Sequence, residues 1–155
     1  MTFIEYESLN ELSKLVVSVI GTSPTMRIDQ QRIDRFAEIT LDNQWIHNDP
    51  IAASEGPYGT TIAHGFLILS LITALECQSY SIGDVKVRIN YGLDRLRFIT
   101  PLKVNSEIYL TTKLISIEEV KSGMKILKEN TVLCPTESKP ILSAERITLV
   151  TLNDQ

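Results

Sequence analysis

Two side chains suited to proton transfer lie five residues apart in this chain, the carboxylate of Asp42 and the imidazole of His47. That spacing does not put them on one face of a helix, whereas a short bend between them can aim both at a single point. A carboxylate and an imidazole converging on one water form a general acid/base pair. Each such group contributes about 10²–10⁴-fold to a proton-transfer step. The same residue types also serve as helix caps and surface hydrogen bonds, so the surroundings decide what the pair means.

The pair belongs to the run Leu41-Asp42-Asn43-Gln44-Trp45-Ile46-His47-Asn48-Asp49-Pro50, followed closely by Gly56-Pro57-Tyr58-Gly59-Thr60-Thr61-Ile62-Ala63-His64-Gly65. Together these stretches hold both histidines and the single tryptophan of the chain. Gly59 and Gly65 permit close approach of a ligand to the backbone. A helix starting near His64 or Gly65 offers unpaired N–H groups and the positive end of its dipole, which suits Gly65 to stabilising charge on an oxygen. Gly65 fits equally well as a close contact between helix and sheet. His64 fits either the wall of a site or a structural bond to a carbonyl, and Trp45 fits a wall or a packing anchor. His47, Asp49 and His64 are possible metal ligands by type, but their spacing matches no recognised ligand pattern, and no metal is expected.

The elements that must position these residues follow from periodicity. Leu9, Leu12, Leu15 and Val16 predict a helix over Ser8 to Val17, with Ser8 as N-cap. Gly21-Thr22-Ser23-Pro24 ends that element, and Thr25 to Ile28 predicts a short strand. Asp29 caps a second helix with Ile33, Phe36, Ala37 and Thr40 on one face and Gln30, Arg32, Asp34, Arg35 and Glu38 on the other. Ile51-Ala52-Ala53 suggests one helical turn, and Gly56-Pro57-Tyr58-Gly59 breaks the chain. The run from Ile62 to Cys77 carries no charge before Glu76 and predicts an enclosed helix, apolar almost all round. Beyond it the period becomes two. Val85 to Tyr91 alternates like a strand with one buried face, and Ile108 to Ile117 puts Ile108, Leu110, Thr112 and Leu114 together. Met124 to Cys134 and Ile141 to Leu152 also read as strands, separated by turns at Pro101, Asn105-Ser106, Ser122-Gly123 and Ser138-Lys139-Pro140. Helices followed by four or five consecutive strands predict an α+β fold, an antiparallel sheet curled around one central buried helix.

At 155 residues, 43% hydrophobic and 22% charged, the chain fits a single domain spanning 1-155. A net charge of -4 disfavours a nucleic-acid partner. The apolar run Phe66 to Leu75 is shorter than the roughly 20 residues a bilayer requires, and no leader is evident at the N-terminus. Cys77 and Cys134 read as thiols in a reducing compartment. The expectation is a cytoplasmic protein with no membrane partner.

Three blocks resemble the MaoC-like dehydratases, the (R)-specific enoyl-CoA hydratases of hot-dog fold, and especially their nodulation protein N-like branch. They are Asp42 to Pro50, Gly56 to Phe66, and Ile89-Asn90-Tyr91-Gly92-Leu93 with Arg97-Phe98-Ile99-Thr100-Pro101. The resemblance implies that Asp42 and His47 hold a water that adds across a trans-2-enoyl thioester to give a (3R)-3-hydroxyacyl thioester. It places Gly65 N–H on the thioester oxygen and Trp45, Tyr58, Gly59, His64 and Asn90 along the substrate. It also implies a homodimer and no cofactor, coenzyme A arriving as part of the substrate. Lys86, Arg88, Arg95 and Arg97 are candidate nucleotide contacts. Three places depart from the pattern, one of them Gln44-Trp45, which stands where the family often has Asn-Pro. Leu41 stands where the family often has Gly, so the preceding helix is expected not to close in a left-handed turn, which suits leucine poorly. Asn105 also replaces a frequent Gly, and asparagine tolerates positive φ. Alternative readings on the same fold are a dehydratase of carrier-bound acyl or polyketide chains, a thioesterase using Glu76, and a non-catalytic acyl-binding protein.

Overall fold

The alternating segments of the second half fold as long strands, and the apolar run before them folds as the helix they wrap. The computed structural model describes residues 2–153. In chain order the elements are β1 (Ile4–Tyr6), α1 (Leu9–Ser13), β2 (Val19–Thr22), β3 (Met26–Ile28), α2 (Gln30–Thr40), α3 (Trp45–Asn48), α4 (Pro50–Ser54), α5 (Gly65–Cys77), β4 (Tyr80–Ile82), β5 (Val85–Phe98), β6 (Ser106–Val120), β7 (Gly123–Leu133) and β8 (Leu142–Leu152). The main sheet runs β2-β6-β7-β8-β5, and β3 pairs the start of β6. All of its pairings are antiparallel, while β1 and β4 form a separate parallel pair. This is the expected α+β, hot-dog arrangement.

The period of two fixes the core. Ile108, Leu110, Thr112 and Leu114 of β6 are all buried, as are Ile126 and Val132 of β7 and Leu142, Ala144 and Val150 of β8. Leu67, Ile68, Ile72 and Leu75 of α5 pack against that face. Each such aliphatic side chain contributes about 1.5–3 kcal/mol when fully buried. A second apolar cluster, built on Leu12, Ile20, Tyr80 and Leu114, holds α1 against the other end of the sheet.

Several expectations are corrected. The first helix stops at Ser13 instead of reaching Val17; Val17 turns to φ 69° and its N–H bonds to Leu114 O at 2.8 Å, which starts the edge strand β2 where only a break was expected. Helix α5 is not enclosed on every side, because Phe66 (63% exposed), Ser70, Thr73 and Cys77 form an open stripe. Strand β5 lacks the expected buried face. It lies at the sheet edge, bonded among the described residues only to β8, and both of its faces are open over most of its length. Leu41 does close α2 in the left-handed conformation, φ 60° and ψ 21°, against expectation. Asn105 takes φ 66° as expected.

Candidate active site

The site is assembled where α2, α3 and the segment 60–64 meet. Asp29 caps α2 by accepting from Arg32 N at 2.9 Å, and Ile33 and Ala37 anchor the helix in the core. The left-handed turn at Leu41 then swings Asp42 back across the site. Segment 60–64 is fastened on both sides, by Ile62 N–H to Ile46 O (3.0 Å), Ala63 N–H to Leu102 O (2.8 Å) and Val104 N–H to Thr61 O (3.0 Å). Gln30, which the sequence shows only as part of the polar face of α2, is a central tie. Its Nε2 donates to His47 O at 2.7 Å and its Oε1 accepts from Thr61 Oγ1 at 2.5 Å.

Asp42, His47 and His64 converge, one side-chain ligand atom of each lying within 4.8 Å of the others. Asp42 is exposed and both histidines are buried. His47 Nδ1 lies 2.7 Å from Ile62 O; a carbonyl only accepts, so Nδ1 carries the proton and Nε2 keeps its lone pair. His64 Nε2 lies 3.0 Å from Asp42 O and by the same argument donates to it, while His64 Nδ1 has no partner. Burial holds the His47 imidazole below its usual range, helped by His64 and opposed by the Ile62 carbonyl and Asp42. The two rings stack at 3.7 Å with 26° between their planes, and Phe36 lies 5.1 Å from the His64 ring. Rings stacked so closely cannot both hold one ion in their own planes, as imidazole ligation requires. Asp49, the other carboxylate considered for a metal, caps α4 by accepting from Ile51 N (3.1 Å) and Ala52 N (3.0 Å).

His47 and Gly65 border a cavity of about 410 Å³ whose other walls include Ile62, Phe66, Ile68, Phe98 and Ile141. The first N–H groups of α5 are those a helix leaves without intrahelical partners. Gly65 serves the packing role as well, since a Cβ there would lie 2.8 Å from the Phe98 ring. The other expected contacts lie outside this wall. Trp45 packs over Gly56, where a Cβ would lie 2.7 Å from the indole. Tyr58 and Gly59 sit in the 56–59 turn, Gly59 at φ 69°. His64 lies against His47, and Asn90 borders a second cavity. Glu76 is far from the pair and fully engaged: Lys128 Nζ and Tyr80 OH donate to its Oε1, and Arg146 Nη2 pairs with its Oε2. A thioesterase reading therefore has no free carboxylate on the central helix.

Comparison with known proteins agrees with this architecture. Residues 13–134 match the MaoC like domain. The chain is 39% identical over 143 residues to 3-hydroxyacyl-thioester dehydratase Z of Mycobacterium tuberculosis (strain ATCC 25618 / H37Rv), covering 92% of this chain and 95% of that protein. It is 38% identical over 149 residues to Nodulation protein N of Rhizobium meliloti (strain 1021), covering 94% and 92%. Among solved structures, the (R)-hydratase from A. caviae involved in PHA biosynthesis superposes with a TM-score of 0.72 at 21% identity, covering 89% of this chain and 96% of that one. The MaoC-like dehydratase from Rhodospirillum rubrum gives 0.78 at 20%, covering 96% and 99%. With residues 13–134 of the chain matched to the domain and relatives of this identity along nearly the whole chain, the protein belongs to the MaoC-like dehydratase family.

Proposed function

We propose that the protein hydrates a trans-2-enoyl-CoA to the (3R)-3-hydroxyacyl-CoA and catalyses the reverse dehydration. The observation that carries this reading is that His47, with Asp42 beside it, borders the same cavity as the N-terminus of α5. The thioester oxygen accepts from Gly65 N–H, where the helix dipole favours developing negative charge. This draws electrons from the double bond and makes C3 electrophilic. A water held between the Asp42 carboxylate and His47 Nε2 attacks C3 as its proton passes to Nε2. The C=C pair moves into a C2–C1 enolate on the thioester oxygen. The imidazolium, steadied by Asp42 and the Ile62 carbonyl, then returns that proton to C2 as the thioester carbonyl reforms. One water is added, both enzyme groups return to their starting states, and no cofactor is needed.

His64 holds the Asp42 backbone and backs the imidazole. Trp45, Tyr58 and Gly59 are assigned to the outer approach of the thioester, and Asn90 to the far end of the acyl chain. The names of the relatives, a 3-hydroxyacyl-thioester dehydratase and an (R)-hydratase, favour this chemistry over a non-catalytic role. We place the enzyme in the cytoplasm and read it as a homodimer, the latter supported by the open edge of β5 and the open stripe of α5; among the described residues no helix is long and apolar enough to cross a membrane. The test is crotonyl-CoA hydration followed by loss of enoyl absorbance. Asp42→Asn and His47→Ala are each expected to lose about 10²-fold or more with the fold intact. Undiminished turnover in either variant removes that residue from the mechanism, and thioester hydrolysis in its place overturns the reading.

A further inference from the structure

A second cavity of about 300 Å³ lies in the groove between α5 and β5, bordered by Leu69, Ser70, Thr73, Asn90, Leu93 and Arg146. Its lining follows that of the first cavity along both elements. The walls step along α5 from Gly65, Phe66 and Ile68 to Leu69, Ser70 and Thr73, and back along β5 from Phe98 to Leu93 and Asn90. From Gly65 to Thr73 the helix rises about 12 Å. An extended acyl chain of about ten carbons, advancing roughly 1.3 Å per C–C bond, spans that distance.

The far end of this path is not apolar. Arg146 stands on the core face of β8, between buried Ala144 and Thr148, and is itself only 6% exposed. Its Nη2 pairs with Glu76, and its Nη1 donates to Thr73 Oγ1 at 2.9 Å and lies 3.4 Å from Asn90 Oδ1. Among the described residues its Nε has no partner. Lys128, also buried, pairs with the same Glu76. Two basic side chains thus share one carboxylate; burial lowers the Lys128 amine to about 7, and Arg146 is the cation on the cavity wall. Buried charge is ordinarily matched, and an aliphatic residue at 146 would fill the sheet face at lower cost. A hydrocarbon tail ending against the guanidinium would remove its remaining hydration and return nothing. A terminal carboxylate would meet the guanidinium through charge-assisted hydrogen bonds.

We infer that Arg146, with Thr73 and Asn90, forms a subsite at the end of the acyl path that selects thioesters whose far end carries a carboxylate. The inference rests on the hydratase reading for the chemistry at the near end, and its test separates the two. Wild-type enzyme is assayed with trans-2-decenoyl-CoA and with its ω-carboxylated counterpart, trans-2-decenedioyl-CoA. The carboxylated chain should be favoured by about tenfold or more in kcat/KM, chiefly through KM, since a site built for a polar group discriminates against an analogue lacking it. Arg146→Gln and Asn90→Leu should each bring that ratio towards one; Asn90→Leu leaves the Glu76 ion pairs in place and decides the matter if Arg146→Gln does not fold. The saturated pair, decanoyl-CoA and decanedioyl-CoA, is titrated into wild-type enzyme by calorimetry, with tighter binding of the carboxylated chain expected. Equal treatment of the two chains by wild-type enzyme, or a preference that survives Asn90→Leu, overturns the subsite. Tighter binding of decanedioyl-CoA without turnover of any enoyl-CoA sustains the subsite and overturns the hydratase reading.

Discussion

His47 is defined by what its two nitrogens meet. The Ile62 carbonyl at 2.7 Å takes the Nδ1 proton, leaving Nε2 as the basic atom, and burial disfavours the imidazolium. Under the proposed mechanism hydration requires neutral His47, and the sign of the pH dependence follows. A group whose value is depressed stays neutral further into acid, so kcat/KM for crotonyl-CoA should be flat around neutrality. Its acid limb should fall tenfold per pH unit only below an apparent value under about 6.5, the ordinary histidine figure. Asp42 opposes the depression, so Asp42→Asn should move the limb to still lower pH in whatever activity remains. A limb above 6.5 would mean that the imidazole is not the group whose deprotonation switches the enzyme on. In the proposed mechanism His64 is a positioning residue: its Nε2 fixes the carbonyl of Asp42 and its ring stacks on that of His47.

At the scale of elements, the most informative position is the end of α2. A left-handed non-glycine residue costs about 1–2 kcal/mol, and Leu41 is 81% exposed, so burial does not compensate. What the turn achieves is direction: it brings Asp42 over His64 and beside His47, a local strain of the kind functional sites retain. Leu41→Gly should therefore stabilise the fold by up to about 1 kcal/mol, part of the relief being lost to glycine's greater freedom when unfolded. For a chain of this size that is an upward shift in Tm of about 2–4 °C; an unchanged or lower Tm would show that the turn is not strained. This turn was illegible in the sequence because propensity speaks against it and only the site speaks for it. The helix it ends was legible, since Asp29 and the Ile33/Ala37 face obey local rules. So was β6, whose buried residues fall on the alternation. The convergence of Asp42 and His47 could be anticipated from their bend, but Gln30 could not, because a glutamine on a polar face looks the same whether it meets water or ties three segments together. Strand β5 and helix α5 were misjudged for a different reason: periodicity reports which residues are apolar, not whether the same chain covers them.

That last error points to the scale of the whole molecule. Strand β5 is bonded along one side only and exposes Val87, Ile89, Tyr91 and Leu93, with Phe66 of the neighbouring helix. A long, apolar, unpaired edge is a surface that soluble proteins cover or disarm, and a contiguous patch of such residues marks an interaction site. A second copy is the economical cover, because two β5 edges related by a two-fold axis run antiparallel and complete each other's ladders. Residues of β5 line both cavities, so the partner would also close the acyl path. The expected mass in sedimentation is therefore twice the 17.4 kDa of one chain. Replacing Ile89 and Tyr91 together by lysine should yield monomers by placing like charges across the axis. Because an open groove admits water along the chain, those monomers should lose turnover of long enoyl thioesters more steeply than that of crotonyl-CoA. A wild-type chain that sediments as a monomer at every concentration, or lysine variants that keep both mass and chain-length profile, would show that this edge is not the interface and that one copy alone shapes the path.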